Sequence, residues 1–370
     1  MNQNVDDDNT IHNEIADQML VLDWTVEEIM NFTDEQINNL HPIDKSVFLG
    51  LHGRTDEAQE ILLNYPDQND PAIRFNRGWY DLFNGKLSQG LRGLDVGRFI
   101  EAFGSPGLPG NIWKDEPLYR KTILFNCEGG LGDQIVFFRF AKDFVARGAN
   151  VIVACTHEVA RLFNRCGFVT VSNDKETLSK VYYDYWVPSM SVAHVLGYEY
   201  ETLPGAPYLD VGKTTLPARA NTLKVGLRWS GSPSFQHESF RKFPRKKMHD
   251  LLSVEGATFY SLQKETDLVD NLPLIDLQDD MTTFYETAML IKDMDLVITS
   301  CTSIAHCAGA LGVPTWVIVP ILPYYMWALQ GDKSPWYDSV TLYRQTKLGD
   351  WTDPFDRVEN DLVNMIQSKN

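Results

Sequence analysis

Apolar positions along the chain change their period near residue 110. Before it they recur at helical spacing. Ile15, Met19 and Leu22 fall at i, i+4 and i+7. Thr25 stands three residues ahead of Glu28, the spacing of a capping box, just before Ile29 and Met30. Thr33, with Glu35 and Gln36 behind it, starts the next helix, and segments 56–63, 71–84 and 86–100 continue the series without a strand signal. Past 110, apolar strands alternate with helical patterns: strand 121–127, helix 133–147, strand 151–155, helix 157–166 and strand 182–187. A second series begins at 224 with KVGLRWS, followed by helix 245–253, strand 258–263, helix 282–292, strand 295–299, helix 302–311 and strand 315–319. Continuous apolar strands joined by helical crossovers predict parallel sheets covered on both faces.

The predicted fold class is therefore α/β, with two Rossmann-like domains facing a cleft behind an α-helical N-terminal region. Residues 1–12 read as a disordered tail and 13–110 as the helical region, which ends in the Gly/Pro stretch GSPGLPG (104–110). Residues 111–215 form the first α/β domain and 216–370 the second, the last helix being a candidate to pack back on the first; the hinge lies in 203–220. Helices 72–84 and 87–99, with Gly85 between them, have the length and small-residue turn of a tetratricopeptide-like unit, but no 34-residue period repeats. A helical cap on the next domain and a protein-binding array both remain open.

Composition narrows the field. The 370 residues include 33 Lys+Arg and 50 Asp+Glu, a formal net charge of −17. That weighs against a general nucleic-acid or anionic-membrane binder, without excluding a local basic groove. Cys127, Cys155, Cys166, Cys301 and Cys307 are odd in number and lack zinc spacing, so reduced thiols in a cytoplasmic protein are expected. The polar start MNQNVDDDNT has no secretory apolar core, and the longest apolar run, 313–322, is short and carries Pro314 and Pro320, so no membrane span is expected.

In sheets of this kind ligands lie beyond the carboxyl ends of the strands, and four motifs fall there. CEGGLGDQ (127–134) follows a strand and opens a helix; its glycines let backbone approach a ligand, and the helix start favours negative charge. Asp133 is either the helix cap or a carboxylate able to take a proton from an attacking hydroxyl. GLRWSGSP (226–233) is either a plain strand turn or a loop against a ligand. FRKFPRKK (240–247) holds five cations; Lys246 and Lys247 suit a solvated helix face, whereas Arg241 could reach an anion as a planar fork. TSCTSIAH (299–306) offers hydroxyls and free amides at a helix start, with helix capping and a buried structural His306 as the competing readings.

Taken together, GGLGDQIVFFRFAKDFVARGA, VGLRWSGSP, FRKFP, SLQK, DLVITSCTSIAHCAGALGVPTWVIVP and SPWYDSVTLYRQTKLGDW resemble glycosyltransferase family 9, in the branch that joins a tetratricopeptide-type N-terminus to a heptosyltransferase-like GT-B core. The resemblance covers about residues 110–365. It implies inverting, metal-independent transfer from a nucleotide-diphosphate sugar, which is a donor substrate and not a cofactor, to a hydroxyl acceptor on a glycan, lipid or protein. It implies Asp133 as general base; Arg241, Thr302, Ser303 and His306 on the diphosphate; and Trp229, Ser230, Gln263 and Lys264 in the nucleotide pocket. Gly130, Gly132, Gln134, Tyr324 and Trp327 would form acceptor and donor loops. Where the family commonly has Asp, this chain has Cys301. No DxD motif stands at a strand end; Asp279-Asp280 and Asp293-Met294-Asp295 flank helix 282–292 instead. Two other readings stay open. One is transfer to a hydroxymethylated pyrimidine in DNA, motivated by 241–247. The other is a non-catalytic nucleotide-sugar-binding scaffold with a protein partner at the N-terminal helices.

Overall fold

A computed structural model describes residues 24–98, 107–217, 219, 221–235, 238–264 and 272–369. The expected tail and the Ile15–Leu22 helix lie outside these residues. Two parallel sheets dominate. In the first, β1 (Asn111–Ile112), β2 (Thr122–Asn126), β3 (Asn150–Cys155), β4 (Val169–Ser172) and β5 (Tyr185–Pro188) lie in the order 1-5-2-3-4. In the second, β6 (Leu223–Arg228), β7 (Ala257–Ser261), β8 (Ile275–Asp276), β9 (Leu296–Ser300), β10 (Thr315–Val319) and β11 (Val340–Arg344) lie in the order 11-10-9-6-7-8. Every strand pair is parallel. This is the two-lobed GT-B arrangement. Each sheet reverses its strand order once, between β2 and β5 in one lobe and between β6 and β9 in the other. Crevices open at such switch points. The glycine loop after β2, the Ser230 loop after β6 and the Thr302 turn after β9 are thereby brought to the same place.

Most elements fall where the pattern put them, and the departures have local causes. Strand 182–187 begins only at Tyr185, because the Asp184 carboxylate takes the Thr122 amide at 2.8 Å and pairs with Lys121. The expected helix 133–147 is two helices, Leu131–Phe138 and Ala141–Ala146. At the break Arg139 turns inward, donating to the carbonyls of Val136, Pro204 and Trp336. The final helix, Thr352–Lys369, does not pack back on the first lobe. Its apolar stripe lies in the second-lobe core, with Phe355 edge-on to Phe243 and Tyr343 donating to Asp361 at 2.7 Å.

The N-terminal helices pair as hairpins, Pro42–Leu51 with Thr55–Leu63 and Pro71–Phe83 with Leu87–Leu94. The first of these four was not anticipated; it starts at Pro42, with the His41 ring accepting from the Ile43 amide. Both expected capping boxes are present, at Thr25/Glu28 and Thr33/Gln36. The helices lie across both lobes. Leu82, Leu87, Leu91 and Leu94 join the first-lobe core, while Ile29, Phe48, Leu49 and Leu51 pack with Phe240, Leu322 and Leu348 of the second. The second hairpin closes on glycine: a Cβ at Gly78 would lie 2.7 Å from the Gly90 carbonyl oxygen and 2.9 Å from the Leu94 amide nitrogen. Gly78→Val is expected to destabilise the protein by about 1–3 kcal/mol or more through overpacking against backbone that cannot yield. Thermal unfolding of the variant measures this directly, and an unchanged midpoint would contradict it.

Candidate active site

A cleft of about 880 Å³ runs between the lobes. Its first-lobe wall is the loop Gly129–Asp133. Its second-lobe wall comprises Ser230, Gly231, Arg241, Lys264, Thr302, Ser303, His306 and Tyr324. The described residues include no cluster of His, Cys, Asp or Glu suited to a metal ion, and no described helix is long and apolar enough to cross a membrane. All five cysteines are free.

Asp133 is not the helix cap that its sequence suggested: the helix begins at Leu131 with Gly130 as its cap, and Asp133 stands at the third position of the first turn. Its Oδ2 reaches back to accept the Gly130 amide at 2.8 Å, the third-position half of a capping box. Its Oδ1 accepts the hydroxyls of Tyr325 at 2.5 Å and Tyr324 at 3.3 Å, both from the other lobe. Burial pushes this carboxyl above the usual aspartate range, and the tyrosine and amide donors hold part of that rise back. Gly129 has φ 69°, and a Cβ there would lie 2.7 Å from Oδ2. A side chain at that position would be strained and would collide with the carboxylate.

Arg241 is nearly buried and pre-positioned. Its Nε donates to Glu238 Oε2 at 2.7 Å, one Nη donates to the Cys301 carbonyl, and the guanidinium lies 4.2 Å from the centre of the Phe235 ring. Glu238 also accepts the Gly231 amide at 2.7 Å, so one carboxylate fixes both the loop and the arginine. Cys301 thus contributes its backbone. Burial pushes its thiol up to about 12, so it is neutral and offers none of the charge an aspartate would.

The helix Ser303–Leu311 points its N-terminus into the cleft. Thr302 occupies the cap position but makes no capping bond; its hydroxyl pairs with Thr299 at 3.1 Å. The first-turn amides therefore lack a side-chain acceptor, the arrangement that suits an anion. His306, one turn on, is buried. Its ring stacks on Trp327 at 4.9 Å, and Nδ1 lies 3.0 Å from the Tyr337 hydroxyl. Burial, with Arg139 and Arg241 adding to it, depresses His306 to about 3, so it is a neutral imidazole at ordinary pH. Its place on the cleft wall depends on Gly132, where a Cβ would come within 2.8 Å of its ring.

Four expected site residues do not line the cleft. Trp229 is buried in the second-lobe core with Phe243 and Met248. Gln263 is buried and accepts the Ser230 amide at 3.2 Å, holding the loop from behind. Gln134 is buried and accepts the Thr156 amide at 3.1 Å within the first lobe. Trp327 is buried behind His306. In each case the side chain points inward from an element whose backbone reaches the cleft. Conversely, Glu158, Phe235, Glu238 and Tyr325 went unpredicted although the first three line the cleft and the fourth touches Asp133. For Glu238 a signal exists: it precedes Arg241 by three residues, the spacing of a helical ion pair. The exposed Arg245 and Lys246 lie on the helix Arg245–Leu252, outside the cleft lining.

No family model matches the chain. Protein FlbA of Caulobacter vibrioides is 25% identical over 338 residues, which cover 80% of this chain and 53% of FlbA. The chain therefore spans about half the length of that curated relative. Among solved structures, the E. coli ADP-heptose lipopolysaccharide heptosyltransferase II aligns with a TM-score of 0.45 at 13% identity, over 67% of this chain and 99% of that one. A glycosyl transferase family 9 protein from Veillonella parvula aligns with a TM-score of 0.48 at 9% identity, over 69% and 98%. The iron-containing dodecameric glycosyltransferase TibC of enterotoxigenic E. coli H10407 aligns with a TM-score of 0.46 at 14% identity, over 69% and 77%. These are similarities at low identity, and the two-lobed α/β fold of this chain rests on its own pair of parallel sheets and their shared cleft.

Proposed function

We propose that the protein transfers a sugar from a nucleotide-diphosphate donor to a hydroxyl acceptor with inversion and without a metal. One observation carries this reading: a buried carboxylate from one lobe, and an arginine with an uncapped helix N-terminus from the other, line a single cleft. Asp133 takes the proton of the acceptor hydroxyl as its oxygen attacks the anomeric carbon. The bond from that carbon to the β-phosphate oxygen breaks, and its electron pair leaves with the nucleoside diphosphate. A single base acting on the face opposite the leaving group gives inversion. The developing diphosphate charge meets Arg241 and the amides at Ser303 and Ile304, fixed dipoles that need no reorganisation during the reaction. Ser230 and Lys264 flank the nucleotide, and Gly130 leaves room for the acceptor, while Gly132 leaves room for the His306 ring on the donor side.

A nucleotide-sugar panel with transfer and donor-hydrolysis readouts tests the reading. Turnover by the wild type that disappears in Asp133→Ala supports an enzyme; donor binding without turnover would favour a sensor or scaffold. Because protein cations carry the leaving-group charge in this scheme, activity is expected to persist in EDTA. Loss of transfer in EDTA with recovery on adding Mg²⁺ or Mn²⁺ would overturn the metal-independent part. The acidic net charge makes a glycan, lipid or protein hydroxyl a better acceptor than DNA.

A further inference from the structure

The segment Pro320–Leu329 links three parts of the molecule. Its Tyr325 hydroxyl lies 2.5 Å from Asp133 Oδ1, and the Tyr324 hydroxyl lies 3.3 Å from the same oxygen. The N-terminal helices hold its other face. Trp79 donates its indole N–H to the Pro323 carbonyl at 3.0 Å, and Leu322 packs in the core those helices share with the second lobe. Arg344 ties down its end, donating to the carbonyls of Trp327 at 2.8 Å and Leu329 at 2.5 Å. The glycine loop before Asp133 is held from the same helical region. Arg98 grips Glu128 with two bonds of 2.5 and 2.7 Å, and Glu128 also accepts the Met190 amide at 3.4 Å.

We propose that Tyr325 is a positioning residue for Asp133, and that the N-terminal helices act as the brace that keeps Tyr325 and the glycine loop in register across the cleft. This inference rests on the base role proposed above for Asp133. With two hydroxyls on Oδ1 and one backbone amide on Oδ2, the less occupied Oδ2 is the oxygen that receives the acceptor proton. It faces the space that exists because residue 129 has no side chain. The helical region thereby belongs to the chemistry: Asp133 is a first-lobe residue fixed by a second-lobe tyrosine whose backbone is fixed by the helices.

Tyr325→Phe and Trp79→Phe test this, since each removes one donor and keeps an aromatic ring. Besides Asp133, the titratable and charged groups lining the cleft are Glu158, Arg228, Glu238, Arg241, Lys242, Lys264, His306 and Tyr324; both variants leave them in place. For Tyr325→Phe, kcat is expected to fall roughly ten- to a hundredfold, the size of a hydrogen bond to a charged group. The dissociation constant for the nucleoside diphosphate should stay within about twofold. The acidic limb of the pH–rate profile should move to higher pH, because a donor that stabilises the carboxylate anion has gone. Trp79→Phe should lower kcat less and shift the limb in the same direction. An unchanged limb and kcat in Tyr325→Phe, or a loss explained wholly by weaker donor binding, would overturn the positioning role. An unchanged Trp79→Phe would overturn the brace. Asp133→Asn separates this from the parent reading: if that variant still transfers sugar, the base assignment itself fails, whereas if it is inactive and Tyr325→Phe is unaffected, only the present inference fails.

Discussion

Asp133→Asn is expected to abolish sugar transfer, with a loss on the order of 10²–10⁴-fold, while nucleoside diphosphate still binds. That range is what a positioned general base contributes. Asparagine preserves the volume of a side chain buried between the lobes, and its amide oxygen can still take the Tyr324 and Tyr325 hydroxyls. Its NH2 group then faces the Gly130 amide, two donors where the native carboxylate offered an acceptor. A modest drop in stability is therefore expected beside the large kinetic loss. Single-turnover transfer measures the kinetic loss, and calorimetric titration with a nucleoside diphosphate checks the binding. If binding disappears along with transfer, Asp133 holds the donor and is not the base. The pH dependence provides a second test. Burial raises the folded-state pKa of Asp133 above its unfolded value, so the wild-type rate should fall on acidification at a higher pH than an exposed aspartate would give. The stability contribution of this carboxyl has the sign of a raised acid: fully present below the unfolded pKa and lost as pH rises through the folded one. Asp133→Asn removes both dependences.

Much of this arrangement was legible from the chain alone, because strand-end glycines and helix-start hydroxyls are local signals. The loops at 129–133 and 299–306 were placed opposite each other from the strand–helix alternation, and the two switch points bring them together. Side-chain direction was not legible. Trp229 and Ser230 are neighbours at the end of β6, yet one faces the core and the other the cleft, because consecutive residues in extended backbone point to opposite sides. Gln134 follows Asp133 on a helix and points away from it, into the first lobe. The edge strands were also missed: β1 and β8 have two residues each, too few for any period to register, and β4 and β11, with four and five residues, were not anticipated either. The least accessible feature was the contact between Tyr325 and Asp133. It joins residues 192 apart, and nothing in the sequence PYYMW marks one tyrosine as a partner for a carboxylate in the other lobe.

Arg241→Ala should weaken nucleoside diphosphate binding by about 1.5–3 kcal/mol, or roughly ten- to a hundredfold in the dissociation constant, the range for hydrogen bonds to charged groups. Two effects enter that figure. The guanidinium has five N–H groups, and Glu238 and the Cys301 carbonyl engage two of them. The others can meet phosphate oxygens without first breaking the ion pair. Truncation also strips Glu238 of its cation in a cleft where its side chain is only 13% exposed, so a carboxylate is left beside the incoming diphosphate. Glu238→Gln separates the two. On its own it should loosen the Gly231 loop and the arginine, weakening binding by less than Arg241→Ala does. In the Arg241→Ala background it should recover part of the lost affinity, because the stranded charge is gone. The recovered fraction is the coupling energy of the double-mutant cycle and reports the repulsion; the remainder is the direct contribution of the arginine. An Arg241→Ala variant that binds nucleoside diphosphate as tightly as wild type would remove Arg241 from the leaving-group site. The helix N-terminus at Ser303 and the side chains of Arg228, Lys242 and Lys264 would then be the cleft groups left to meet the charge.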